Sequence, residues 1–129
     1  MSEAEMYQWL FDGLRDNGGK WDVIGMSLYP SPESWESLTD DMIANMNELI
    51  ARYDTKVMVC ETGMSWDEPE ASYNYLSSLI ERCKAIENDN CLGVYYWEPQ
   101  AYKSWEEYTL GAFDLEGKPT KALYAFIED

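Results

Sequence analysis

Chemistry in this chain has to come from carboxylates. Its 129 residues include no histidine, which removes the Ser-His-Asp and Cys-His routes to a nucleophile and the commonest transition-metal ligand. The acid with the most telling setting is Glu61, in Lys56–Met64, KVMVCETGM. Four apolar residues, Val57 to Cys60, run straight into it, as in a strand buried on both faces of a parallel sheet. In α/β barrels and open sheets the carboxyl end of such a strand is where ligands bind. An acid there is costly unless it is solvated or partnered. Glu61 therefore either opens a loop and pairs with a lysine, or it is a working carboxylate. Simple alternation puts Val57, Val59 and Glu61 on one face, and Met58, Cys60 and Thr62 on the other.

Two further stretches end in functional side chains. Asp22–Pro30, DVIGMSLYP, reads as a strand closed by Tyr29-Pro30, and Cys91–Pro99, CLGVYYWEP, reads as a strand carrying Trp97 near its end. In the first, Val23, Gly25, Ser27 and Tyr29 share a small, partly polar face, while Ile24, Met26 and Leu28 share an aliphatic one. In the second, Gly93, Tyr95 and Trp97 share a face. Tyr29 alone reads as a capping aromatic and Trp97 alone as core. On a shared barrel rim with Glu61, and with Trp66 and Trp105 from the loops, they line an aromatic cleft around a carboxylate. Aromatic faces stack on the C–H faces of sugars, and a carboxylate can attack an anomeric carbon. A carbohydrate site is the sharper reading.

The elements that must hold these residues follow the order α-βα-βα-β-loop-α. Ser2-x-x-Glu5 has the form of a capping box, with Met6, Leu10 and Leu14 following at helical spacing and Trp9 and Phe11 widening the apolar face. Ser37-x-x-Asp40 reads as a cap for a second helix, whose stripe Leu38, Met42, Met46, Leu49 and Ile50 is core. A third helix is striped by Leu76, Leu79, Ile80, Cys83 and Ile86. The segment Gln100–Lys118 is aromatic and irregular, and Pro119 introduces a short final helix through Leu123, Phe126 and Ile127. Strand starts lie about 34 residues apart, a spacing that suits βα units with right-handed crossovers. Three parallel strands cannot close a barrel, which needs about eight, and no GxGxxG or P-loop is present. The expected class is α/β, a partial (β/α)8 barrel formed by one domain over residues 1–129.

Composition narrows the partners. Acids outnumber bases 25 to 9, and the net charge of −16 disfavours nucleic acid and anionic membrane surfaces. Apolar residues make up 46 %, so the charge does not imply disorder. Cys60, Cys83 and Cys91 lack CxxC spacing and read as buried free thiols. No apolar run reaches the roughly 18 residues of a membrane span, and Met1-Ser2-Glu3 does not open a signal peptide.

The stretches DVIGMSLYP, ARYDTKVMVCETG, GVYYWEP and GAFDLEGKPTKAL resemble, in order and spacing, parts of glycoside hydrolase family 53, the endo-β-1,4-galactanases. The resemblance runs from about Trp9 to the C-terminus. It implies that the chain supplies strands six to eight and helices five to eight of a (β/α)8 barrel, the C-terminal part of a retaining enzyme acting on β-1,4-galactan. Such enzymes use two carboxylates about 5–5.5 Å apart. Glu61 matches the nucleophile, Tyr29 the aromatic region after strand six, within reach of a hydrogen bond to Glu61, and Trp97 the indole flooring a sugar subsite; Ser27 and, more weakly, Trp66 join the substrate-binding set. The family commonly has SYYP where Ser27-Leu28-Tyr29-Pro30 stands here, one aromatic fewer. Its general acid/base, an Asn-Glu at the end of strand four, has no strand-end counterpart: Asn47-Glu48 lies inside a helix. No cofactor is called for. Some members bind calcium near strands seven and eight, but the loop Met64–Glu70 offers only Asp67 and Glu68, so no metal is assigned. The resemblance implies a secreted, periplasmic or cell-surface setting, which the residues themselves leave open.

Two other readings stand beside this one. A non-catalytic sugar-binding or scaffold remnant would use the same cleft without turnover. A flavodoxin-like regulator would need five strands where three are present. A cut barrel also exposes strand edges and an apolar flank, so self-association is expected.

Overall fold

The computed structural model describes residues 1–101 and 105–127; part of the aromatic stretch, residues 102–104, lies outside them. Helix α1 spans Glu3–Asp16 and opens on the capping box read from the sequence. Ser2 N donates to Glu5 Oε2 at 2.6 Å and Glu5 N donates to Ser2 Oγ at 3.2 Å, a reciprocal cap that satisfies two free N–H groups at the helix start. The residues that pack are Tyr7 and Phe11, which join an aromatic cluster with Trp21 and Tyr53. The stripe Met6, Leu10 and Leu14 stays exposed, and Trp9 is 70 % exposed. An apolar face at helical spacing was thus correctly seen, but no described element covers it.

Helix α2, Trp35–Tyr53, begins before the cap expected at Ser37, with Ser34 at the N-cap. Ser31 and Ser34 tie that corner together through Ser31 N donating to Ser34 Oγ at 2.9 Å. Asp54 closes the helix in the left-handed region at φ 49°, its N–H reaching Ile50 O. Helix α3 spans Pro69–Lys84, with proline in the first turn where its missing N–H costs nothing. The final helix is a 3-10 turn over Lys121–Phe126; Ala122 is its buried anchor, while Phe126 and Ile127 remain exposed.

Strands β1 (Val23–Leu28), β2 (Lys56–Thr62) and β3 (Cys91–Val94) form one parallel sheet in the order β1-β2-β3. Ile24 lies opposite Val57 and Met26 opposite Val59. These four are buried with Met42, Met46 and Leu49 of α2 and Tyr75, Leu76 and Leu79 of α3, so the helices cover one face. Each such side chain contributes about 1.5–3 kcal/mol by leaving water. The other face is open: Gly25, Cys60, Leu92 and Tyr95 are exposed along it. Cys60 is therefore not the buried thiol expected; of the three cysteines only Cys83 is fully buried. The third strand is shorter than predicted, with Gly93 at φ 144° and a register shift beside it. Its continuation still follows β2, Tyr95 N donating to Val59 O and Trp97 N to Thr62 O, both at 2.9 Å.

Simple alternation fails in β2. Met26 pairs with Val59 but Ser27 pairs with Glu61, leaving Cys60 as an extra residue, a β-bulge. The bulge reverses the faces beyond it. Glu61 joins Ser27 on the open side, and Thr62 takes the helix-side place behind Val57 and Val59. Plain alternation would have driven the carboxylate onto the helix-covered face with Val57 and Val59. Thr62 instead donates to Leu28 O at 2.7 Å and meets the Tyr75 hydroxyl at 2.7 Å, so both of these buried hydroxyls are satisfied.

Two outcomes follow from this packing. Deleting Cys60 removes the extra residue and leaves Glu61 opposite Ser27 on the open face by plain alternation, so urea unfolding should change by less than about 1 kcal/mol, whereas Thr62→Glu, which puts a carboxylate into the helix-side row, should cost about 3 kcal/mol or more. Asp12 clasps α1 to α2, accepting from Arg52 Nη2 at 2.5 Å and from the Tyr53 hydroxyl at 2.8 Å. The Arg52 and Tyr53 hydrogen bonds lower its pKa from 3.8 to about 2. A depressed carboxylate stabilises the fold above its unfolded value, and that stability is lost as pH falls towards 2. Asp12→Asn should therefore lower the melting temperature at pH 7, and the gap from the parent chain should close by about pH 2.

Candidate active site

The ends of the three strands meet at the open mouth of the sheet. Tyr29, one residue beyond β1, donates its hydroxyl proton to Glu61 Oε2 at 2.8 Å. Burial and then this bond to the carboxylate raise the Tyr29 pKa, so the phenol holds its proton and acts as a donor. One carboxylate oxygen is thereby occupied and the other is left for chemistry. Ser27 sits beside Glu61 in register and is half-buried. Trp97, 46 % exposed, follows the continuation of β3 along the same mouth. The structure therefore brings Ser27, Tyr29, Glu61 and Trp97 to one end of the sheet.

Trp66 is placed by its backbone, its N–H donating to Thr109 O at 3.0 Å. Among the described residues no ring pair or side-chain hydrogen bond joins it to Glu61 or Tyr29. Trp105 lies on a 3-10 turn, Trp105–Glu107, and is exposed. Glu98 is exposed at φ 51°, where the chain turns away from the sheet. Asn47 and Glu48 lie within α2, and Glu48 accepts from Gln8 at 2.8 Å on the surface.

Two tyrosines escaped the sequence reading. The Tyr96 hydroxyl donates to Leu110 O at 2.6 Å and accepts from Met64 N at 3.3 Å, binding the loop after β2 to the segment after β3. Burial pushes its pKa up to about 12. Tyr108 donates to Trp97 O at 3.2 Å. The signal that could have revealed this contact is glycine. A Cβ on Gly63 would stand 2.9 Å from Leu110 O, and one on Gly111 would stand 2.9 Å from Ala101 O. Only glycine lets these backbones approach so closely.

Asp67 Oδ1 accepts from Ser65 Oγ at 2.6 Å, and no group of three His, Cys, Asp or Glu converges among the described residues. Nor is any helix among them long and apolar enough to cross a membrane.

Comparison with known proteins gives the family and the fold. The family model for glycosyl hydrolase family 53 covers residues 1–126. An arabinogalactan endo-β-1,4-galactanase of Cellvibrio japonicus is 27 % identical over 121 residues, 77 % of this chain and 31 % of that enzyme. A fungal β-1,4-galactanase structure superposes with a TM-score of 0.80 at 18 % identity, over 96 % of this chain and 44 % of that one. The family 53 catalytic domain of Ignisphaera aggregans gives 0.77 at 23 %, over 96 % and 43 %. The chain thus spans 31–39 % of the curated relatives it matches and under half of these solved structures. Its three parallel strands and flanking helices are part of a (β/α)8 glycoside hydrolase barrel, and the chain belongs to glycosyl hydrolase family 53.

Proposed function

We propose that this chain carries the nucleophile side of a retaining β-1,4-galactanase site, with Glu61 as the attacking carboxylate. The observation that carries the reading is the 2.8 Å hydrogen bond from Tyr29 to Glu61 at the carboxyl end of a parallel sheet. A carboxylate held through one oxygen presents the other in a fixed direction, which is what in-line attack on an anomeric carbon requires. Its lone pair forms the bond to the galactosyl carbon while the glycosidic oxygen leaves through an oxocarbenium-like transition state. Water then releases the sugar and regenerates the carboxylate. Trp97 offers a face for the sugar ring, and Ser27 and Trp66 complete the substrate side. The substrate class, β-1,4-galactan, is supported by family membership and by the named activity of the Cellvibrio relative.

The leaving oxygen also needs a proton from a second carboxylic acid. The family's Asn-Glu acid has no counterpart on these strands, since Asn47-Glu48 lies in α2. General acid assistance is worth about 10²–10⁴-fold, so the 129-residue chain alone should turn over galactan negligibly. The test is titration of the chain with a β-1,4-galacto-oligosaccharide, followed by NMR and by reducing-sugar release. The outcome expected is shifts centred on Ser27, Tyr29, Glu61, Trp66 and Trp97 with no release, and a loss of affinity of about tenfold or more in Trp97→Ala. Turnover by the chain alone, or binding unaffected by Trp97→Ala, would overturn the reading.

A further inference from the structure

Two side chains in succession have to share the open face at the end of β2. Val57 and Val59 point to the helices, and an unbroken strand would put Cys60 on the open face and Glu61 back with the valines. The bulge instead pairs Glu61 with Ser27 while Cys60 stays exposed, so both project to the same side. The face has to yield room for one of them, and Gly25 yields it. A Cβ on Gly25 would stand 3.0 Å from Cys60 Sγ and 3.7 Å from Cys60 Cβ, the first too close for the sulfur to stay where it is. The thiol lies back over that bare backbone and donates to Met26 O at 3.4 Å, where the register of β1 against β2 shifts. The backbone of Gly25 is not left-handed, unlike that of Gly18, Gly93 and Gly117. Space, and not backbone conformation, is what the position requires.

We propose that Gly25 is a positioning residue for Glu61: the room left by its missing side chain seats the Cys60 thiol and lets the bulge aim the next residue at Tyr29. The sulfur of a cysteine turns about a single bond, so it cannot bend away from an added methyl. It has either to jump to another staggered rotamer, giving up Met26 O, or to push the backbone of the bulge. Glu61 is the next residue along that backbone, and its Oε2 lies 2.8 Å from the Tyr29 hydroxyl. A displacement of a few tenths of an ångström at Cys60 is therefore felt at the carboxylate. The catalytic meaning of that aim rests on the reading of Glu61 as nucleophile; the seat under Cys60 does not.

The experiment uses the 129-residue chain with ¹³C-labelled tyrosine and no sugar. In the parent chain, Glu61→Gln should displace the Tyr29 Cζ resonance, because the charged acceptor is lost. In Gly25→Ala that displacement should fall by about half or more, as the carboxylate loses its alignment. Cys60→Ala removes the sulfur and leaves only the 3.7 Å contact between Cβ atoms, an ordinary one. The double variant Gly25→Ala/Cys60→Ala should therefore recover the response of Cys60→Ala alone. Mere crowding of the strand would lower the urea midpoint of Gly25→Ala and leave its Tyr29 response as in the parent, and that result overturns the proposal. So does a double variant that does no better than Gly25→Ala. Should Gly25→Ala not fold, the double variant has to fold with the response of Cys60→Ala, or the proposal fails. A parent chain with no response to Glu61→Gln would remove the Tyr29–Glu61 bond and this proposal with it. Failed galacto-oligosaccharide binding with the rescue intact would remove only the reading of Glu61 as nucleophile.

Discussion

One extra residue in one strand decides what this sheet can do. Cys60 makes β2 a residue longer than its neighbours between Val59 and Glu61, and both flanking strands register the step: Ser27 pairs with Glu61 on one side, and Trp97 N reaches Thr62 O on the other. Before the bulge the helix-side row is Val57 and Val59; beyond it the row continues with Thr62. A charged carboxylate could not occupy the threonine's place without a partner, at a cost of several kcal/mol. Thr62 fits there because its hydroxyl is satisfied by Leu28 O and Tyr75. The core and the mouth are thus solved together, since the step that gives α3 a threonine gives the cleft an acid.

Glu61 is then held by tyrosines and by backbone rather than by cations. Tyr29 takes one of its oxygens, Tyr108 donates to Trp97 O beyond β3, and Tyr96 fixes the neighbouring loops. Phenols suit this work because burial raises their pKa, so they remain donors wherever the protein folds. Neutral donors leave the carboxylate its charge, which a nucleophile needs, whereas a paired arginine would compete with an incoming sugar for it. The absence of histidine is consistent with a site built wholly from acids and phenols.

Much of this was legible in the sequence, and the exceptions share a cause. Apolar runs located all three strands, helical stripes located α2 and α3, and Ser2-x-x-Glu5 located the start of α1. Residue type and position at strand ends picked out Tyr29, Glu61 and Trp97, which the structure does bring together. What failed was everything set by contact between distant segments. Alternation put Glu61 beside Val57 and Val59, because a bulge is written in the register with a neighbouring strand and not in the strand itself. Tyr108 carried no periodic signal, because its partner, Trp97 O, is 11 positions away in the chain. The stripe Met6, Leu10 and Leu14 promised a buried face, and burial depends on what lies opposite. Here the sheet shows three of a barrel's strands and leaves that face, with Trp9, to solvent.

A crystal structure of the chain, refined at a resolution that fixes side-chain rotamers, tests the central claim most directly. The account predicts Glu61 on the open face, its carboxylate within hydrogen-bond reach of the Tyr29 hydroxyl, with Thr62 buried against Tyr75. Density placing Glu61 on the helix-covered face against Tyr75, with Thr62 facing the mouth, would contradict it.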